Sequence, residues 1–274
     1  MRIYTVEIEG SVYPAVEMDN MMFPLKGFKD VNDVIERFEE VGPACMQEGY
    51  MLSAVKILAP IPQPKQDVIC LGVNYAEHFD ETVNGIDFEK KAETIYFSKR
   101  VSNAPGDGDL IPHYDFVDSL DYESELGVVL GKDAKNVSKE EALSYVFGYT
   151  IVNDVSARNV QKAHQQWYRG KSLDGYTPMG PCIVTADEIP DPQNLNISCT
   201  VNGELRQSSN TKMMMQTVAG AISELSQGMT LKAGTIIATG TPKGTGMVSQ
   251  NYLKSGDVVV CEIEKIGKLK NIVE

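Results

Sequence analysis

Glu123 and Glu125 head the run Asp121-Tyr-Glu-Ser-Glu-Leu-Gly-Val-Val-Leu130, which otherwise reads as a buried strand. In a strand, residues i and i+2 point to one side, so the two carboxylates stand together with Gly127 and Val129, opposite Tyr122, Ser124, Leu126 and Val128. Alone, such a pair is most simply a solvent-facing edge. In a partly buried site, like charges at that spacing force one carboxyl to protonate unless a cation sits between them. A third carboxylate comes from Tyr149-Thr-Ile-Val-Asn-Asp154-Val-Ser-Ala-Arg158-Asn-Val-Gln161, an apolar strand that ends in Asn-Asp and is expected to turn directly into a helix. On that helix Asp154, Arg158 and Gln161 fall on one face. Three carboxylates with room for waters are a ligand set for a hard divalent cation, Mg2+ or Mn2+, with positions left for substrate oxygens.

A second cluster lies in Leu71-Gly-Val-Asn-Tyr-Ala-Glu-His78-Phe-Asp-Glu81. If the segment is helical, His78 and Glu81 are one turn apart, and the carboxylate can orient the imidazole as a general base. Two glycine- and proline-rich loops follow, one from Arg169 to Pro181 that contains Lys171, the other Thr239-Gly-Thr241-Pro-Lys-Gly-Thr-Gly246. The second does not end in Gly-Lys-Ser/Thr and is not a phosphate-binding P-loop.

The elements that must hold these groups are short and β-branched: 67–71, 94–97, 123–130, 149–153, 195–201, 235–239 and 257–263. Asn202-Gly203 marks a hairpin between 195–201 and 204–207. Helices are expected from Ser138-Lys-Glu-Glu141, which has capping-box spacing, and over 217–226. The first sixty residues carry strands 3–9 and 12–18 around a turn and an amphipathic helix over 32–41, before Pro60-Ile-Pro-Gln-Pro64 breaks the pattern. This predicts a small N-terminal α+β domain, 1–62, and a larger domain, 63–274. Strands do not alternate regularly with helices, so the fold class is a β-rich α+β rather than a doubly wound sheet.

Composition narrows the partners. Twenty-five basic against 38 acidic residues give a formal charge of −13, which repels nucleic acid and anionic membranes over the whole surface. A small anionic substrate would need a locally positive pocket. No apolar run reaches the ~20 residues of a membrane-spanning helix, and the alternating N-terminus lacks the layout of a signal peptide, so a cytoplasmic protein is expected. The five cysteines are scattered, with no C-x-x-C pair, and read as small buried hydrophobes. With only three histidines as well, any metal should be held by oxygen.

From about Pro64 onward the chain resembles the fumarylacetoacetate hydrolase family, in particular its shorter bacterial-type members. The motifs LGVNYAEH, DYESELGVVLGK, GYTIVNDVSARNVQ, GKSLDGYTPMGP, VNGELRQ and GTPKGTG occur in the family's order. The resemblance implies a mixed β-sandwich roll of the family's C-terminal type and a homodimer. It also implies Mg2+ or Mn2+ on Glu123, Glu125 and Asp154, and a catalytic set of His78, Glu81 and Lys171, the dyad lying on a segment that orders as a lid. Arg158, Gln161, Thr241 and Tyr75 match substrate-binding positions. Two departures stand out: Lys99 is followed by Arg100 where the family often has Lys-Pro, and Ser172-Leu173 replaces the commoner Gly-Phe after the site lysine. The implied substrate is a small anionic 2-oxo acid. The implied reaction is hydrolysis of the C–C bond of an acylpyruvate-type β-diketo acid to pyruvate and a carboxylic acid, His78 activating the water. Oxaloacetate decarboxylation and isomerisation of a 2-hydroxyhepta-2,4-diene-1,7-dioate are alternatives, and a non-catalytic metal-binding protein is a remote one.

Overall fold

The computed structural model describes residues 1–83 and 93–274. Among them, eleven strands form one mixed sheet. Its centre runs, in hydrogen-bonded order, Met179–Thr185, Val146–Asn153, Ser124–Leu130, Ile236–Ala238, Val68–Gly72 and Ile95–Lys99. Arg2–Ile8 pairs with Met179–Thr185 and brings Ser11–Met18 along its other edge, so the N-terminal strands extend the main sheet. A second sheet of five strands orders Glu204–Asn210, Asn196–Val201, Val258–Ile263, Gly267–Val273 and Leu110–Ile111.

Alternation along Ser124–Leu130 explains how the layers meet. Leu126, Val128 and Leu130 point to one face and share a core with Ile197, Cys199, Val259 and Cys261 of the second sheet. Val129 points the other way, into a core with Val152, Val34 and Ile35, covered by the helix Val31–Glu36. The result is the β-rich α+β sandwich expected from the pattern of short strands. No described helix is long and apolar enough to cross a membrane. Cys70, Cys182, Cys199 and Cys261 are buried free thiols, while Cys45 is half-buried.

Several local expectations are corrected. The helix expected over 32–41 is one short α-helix, Val31–Glu36, capped by Asp30, and then a separate 3-10 turn, Phe38–Glu40. The break falls at Arg37, whose guanidinium is occupied on both sides by Asp33 and Glu40. Ser138 does meet Glu141, its hydroxyl accepting from the Glu141 N–H at 3.3 Å, but only the 3-10 turn Ala142–Tyr145 follows before the chain enters the strand Val146–Asn153. The 217–226 helix is present as Val218–Ser226, with Thr217 as its N-cap. Met179–Thr185 and Gly267–Val273 were not foreseen as strands. Pro181 obscures the first, whereas the alternation of exposed Lys268 and Lys270 with buried Leu269 and Asn271 was a strand signal for the second.

Candidate active site

Sheet direction explains why distant motifs meet. Ser124–Leu130 runs antiparallel to Val146–Asn153 and to Ile236–Ala238, and Ile236–Ala238 runs parallel to Val68–Gly72. The start of the first strand therefore lies beside the ends of the other three. Glu123 and Glu125, Asp154, the loop from Thr239 and the segment from Val73 all leave the sheet at one end, where loops on a rigid scaffold can form a site.

Glu123, Glu125 and Asp154 are buried there, each offering one oxygen within 4.8 Å of the others'. Glu123 sits just before the strand, its N–H donating to Asn153 Oδ1 at 3.0 Å, and the Asp154 N–H donates to the Glu123 carbonyl at 2.8 Å. Asp154 is not on the helix with Arg158 and Gln161. The Val155 N–H turns back onto the Asn153 carbonyl at 2.9 Å, and Ser156–Ala157 then pairs with Leu120–Asp121, so the helix starts only at Arg158. Arg158 and Gln161 remain neighbours one turn apart, the guanidinium Nη1 donating to Gln161 Oε1 at 3.0 Å.

Three buried cations face these carboxylates. Lys171 Nζ donates to Glu123 Oε2 at 2.6 Å and to Asp154 Oδ2 at 2.7 Å. Arg158 bonds Asp121 Oδ2 at 2.8 Å and also Glu123 Oε1. Lys99, fully buried, pairs with Asp154 Oδ1 and donates to the carbonyls of Tyr176 at 2.6 Å and Val155 at 3.2 Å. Burial alone would raise Glu123, but the charges of Arg158 and Lys171 hold its carboxyl well below the usual range. Burial opposes the charge of Lys171, yet Asp154 and Glu123 carry its ammonium above its ordinary value.

Glu125 is the exception. Its carboxylate accepts the Gly240 N–H at 2.8 Å and has no ion pair among the described residues. Burial, then the charges of Asp154 and Glu123, push its pKa up. With Asp121 included, four buried carboxylates meet three buried cations, and the surplus negative charge lies where three oxygens converge. A divalent cation fits this donor set. It would relieve the repulsion on Glu125 and leave the floor with a net positive charge that the rest of the surface lacks.

His78 and Glu81 lie on the helix Ala76–Val83, His78 Nδ1 standing 2.8 Å from Glu81 Oε1. The Gly244 N–H donates to Glu81 Oε1 at 3.0 Å and Oε2 at 3.3 Å, fixing the carboxylate against the Gly-Thr-Pro loop. Asn74 sets the register of that contact. Its amide donates to the carbonyls of Gln216 and Thr239 at 3.0 and 2.8 Å and accepts from the Gln216 N–H at 2.7 Å. Val73 immediately before it has φ +51°, a strained value for a β-branched residue.

His78, Glu123, Glu125, Arg158, Lys171 and Thr241 line a cavity of about 220 Å³. Gln161 lines it as well, and since Arg158 occupies its Oε1, its amide nitrogen is the end it can offer. The Thr241 hydroxyl is committed to the scaffold, donating to the Ser124 carbonyl at 3.0 Å and accepting from Gln207 Nε2 at 2.8 Å. Tyr75 is not brought to the cavity. It packs in the core, fully buried, and burial and then the Glu125 charge push its phenol up.

Two buried residues escaped the sequence reading. Asp121 accepts from Arg158 and from the N–H groups of Gly246 and Met247 at 2.7 and 2.9 Å, tying the arginine to the second loop. Its i, i+2, i+4 relation to Glu123 and Glu125 was the available signal. Gln207 accepts the Ser124 N–H at 3.0 Å and donates to Thr241 and the Pro242 carbonyl, both at 2.8 Å. It is fully buried in a strand whose other residues are half-exposed or exposed, a phase that the hairpin motif concealed. Gln207→Leu strands a buried N–H and is expected to cost about 1–3 kcal/mol in denaturant unfolding. An unchanged midpoint would remove Gln207 from the scaffold.

Residues 67–274 match the family model described as fumarylacetoacetate (FAA) hydrolase C-terminal. Oxaloacetate tautomerase YisK of Bacillus subtilis is 46% identical over 225 residues, spanning 81% of this chain and 74% of that protein. Among solved structures, the fumarylacetoacetate hydrolase EaFAH of Exiguobacterium antarcticum superposes with a TM-score of 0.89 at 40% identity, covering 100% of this chain and 99% of the other. A 2-hydroxyhepta-2,4-diene-1,7-dioate isomerase from Mycobacterium marinum gives 0.79 at 31% identity, with 100% and 98% covered.

Proposed function

The chain belongs to the fumarylacetoacetate hydrolase family, and from that premise we propose that it moves a proton at the carbon beside the 2-oxo group of a small 2-oxo acid, interconverting keto and enol forms as an oxaloacetate tautomerase does. The observation that carries this reading is the dyad: a buried imidazole in the cavity wall, its Nδ1 2.8 Å from a carboxylate that the Gly244 N–H holds in place. Glu81 accepting from Nδ1–H fixes the tautomer in which Nε2 is the basic nitrogen of the ring. His78 then takes the proton from carbon 3 and delivers it to the enolate oxygen, and carries it from that oxygen back to carbon 3 in the reverse direction, so one group suffices for both. Lys171 and Arg158 offset the substrate's carboxylate, and the Gln161 amide can donate to an oxygen of the tail. A divalent ion bound by Glu123, Glu125 and Asp154 would supply Lewis-acid stabilisation of the negative charge that enolisation puts on oxygen. The cavity is below the 300–1,000 Å³ usual for ligand pockets, which favours a substrate of few atoms.

C–C hydrolysis of an acylpyruvate is a second reading, favoured by the likeness to the Exiguobacterium fumarylacetoacetate hydrolase. In it His78 takes its proton from a water instead of from carbon. The two part company in one experiment on EDTA-stripped protein, with and without added Mg2+ or Mn2+. Oxaloacetate, acetylpyruvate, fumarylpyruvate and a hydroxy-diene-dioate are supplied in turn. Metal-dependent loss of enol absorbance without pyruvate release is the expected result. Pyruvate released from an acylpyruvate would make the protein a hydrolase, and CO2 lost from oxaloacetate a decarboxylase. Turnover of none of them despite bound metal would leave a binding protein.

A further inference from the structure

The apolar wall of the cavity is built around the single tryptophan of the chain. Trp167 lies in the connection between the helices Arg158–Ala163 and Tyr168–Lys171, and its carbonyl accepts the Lys171 N–H at 3.2 Å. The indole is thus built onto the same turn that presents the floor lysine. Its ring lies directly on the backbone of Gly72, where a Cβ would come within 2.6 Å of Cζ3. On another side the Phe97 ring meets it edge-on, 5.2 Å between centroids and 70° between planes. Phe97 in turn stands over Lys171, Nζ lying 5.2 Å from its centroid.

These contacts form a fixed stack that leads outward from the floor, from Lys171 to Phe97 to Trp167. Large aromatic rings packed in this way have little freedom to move aside. A substrate whose 2-oxo acid head sits on the floor has this stack as the aromatic wall beside its tail, with the indole at the outer end of the stack. We propose that Trp167 is a specificity-determining residue, the end stop that restricts the cavity to short 2-oxo acids, an inference that rests on the floor being a 2-oxo acid site as read above.

The test uses three 2-oxo diacids that differ only in methylenes, with tailless oxalate as the reference for the floor. Oxalate, 2-oxoglutarate, 2-oxoadipate and 2-oxopimelate are titrated calorimetrically into Mg2+-loaded protein, so that no turnover is needed. For the native chain the affinity relative to oxalate should fall at least tenfold between the five- and seven-carbon diacids. In Trp167→Ala the ratio of 2-oxopimelate to oxalate affinity should rise at least tenfold, and Trp167→Phe, which keeps a ring of smaller reach, should fall between. A chain-length profile in Trp167→Phe or Trp167→Ala that matches the native one, with oxalate still bound, overturns the end stop and leaves the reading of the floor intact. Failure of oxalate to bind the native protein sinks both.

Discussion

Glu125→Gln is expected to lower metal-dependent turnover by about 100-fold or more while leaving the metal-free protein at least as stable as the native one at neutral pH. The two halves of this result have one cause. Glu125 is a buried carboxylate beside Asp154 and Glu123 whose oxygens have a backbone N–H for company and no ion pair among the described residues. Its pKa in the folded protein is raised, first by burial and then by those two like charges. A carboxyl raised above its unfolded value of about 4.3 binds more protons folded than unfolded, so the metal-free protein loses stability as the pH climbs from there through the raised value. Glutamine keeps an oxygen for the Gly240 N–H and carries no charge, so this pH-dependent loss should vanish. Once a divalent ion is supplied the order reverses, since the native trio gains binding free energy that the variant cannot. Thermal melts of EDTA-treated and Mg2+-loaded samples at pH 5 and pH 8 check the signs. Full turnover in Glu125→Gln would remove the carboxylate trio from the chemistry.

How much of this was legible in the sequence differs by element. The strands with β-branched runs, the Asn202-Gly203 hairpin and the Thr217-capped helix could be read because local propensity and tertiary role agree there. Asp154 was placed on the wrong element. A strand that ends in Asn-Asp before Arg-Asn-Val-Gln looks like a direct strand-to-helix turn. Only the pairing of Ser156–Ala157 with Leu120–Asp121, a contact more than thirty residues away in sequence, delays the helix. The carboxylates themselves were visible by type and spacing. Of their counter-charges, Arg158 was visible by its spacing from Asp154, and Lys171 only through the family resemblance, because nothing local distinguishes a buried lysine such as Lys171 or Lys99 from the exposed ones. Tyr75 illustrates the converse. A polar residue inside a motif invites a functional role, whereas its ring fills the core beneath the turn that the motif builds.

His78→Ala should cut the rate by about 10²–10⁴-fold, the ordinary worth of a positioned acid–base group, with metal affinity unmoved because the carboxylate trio is intact. The Glu81 variants then separate charge from geometry. Glu81→Gln retains an oxygen that can accept from His78 Nδ1 and from the Gly244 N–H, so the ring stays oriented and only the negative charge is lost. Glu81→Ala removes both contacts and also unties the helix Ala76–Val83 from the Gly-Thr-Pro loop. A tautomerase in which Glu81 chiefly holds the imidazole predicts a mild loss in Glu81→Gln and a loss near that of His78→Ala in Glu81→Ala. A hydrolase in which imidazolium must be stabilised while water attacks predicts that the charge itself matters, and Glu81→Gln then falls nearly as far as Glu81→Ala. The measurement is initial enol–keto interconversion of oxaloacetate above the uncatalysed rate, run beside pyruvate release from acetylpyruvate. If His78→Ala keeps the native rate on both substrates, the dyad is scaffold. Lys171, a buried nitrogen of the cavity lining that can carry a proton, would then be the next residue to substitute.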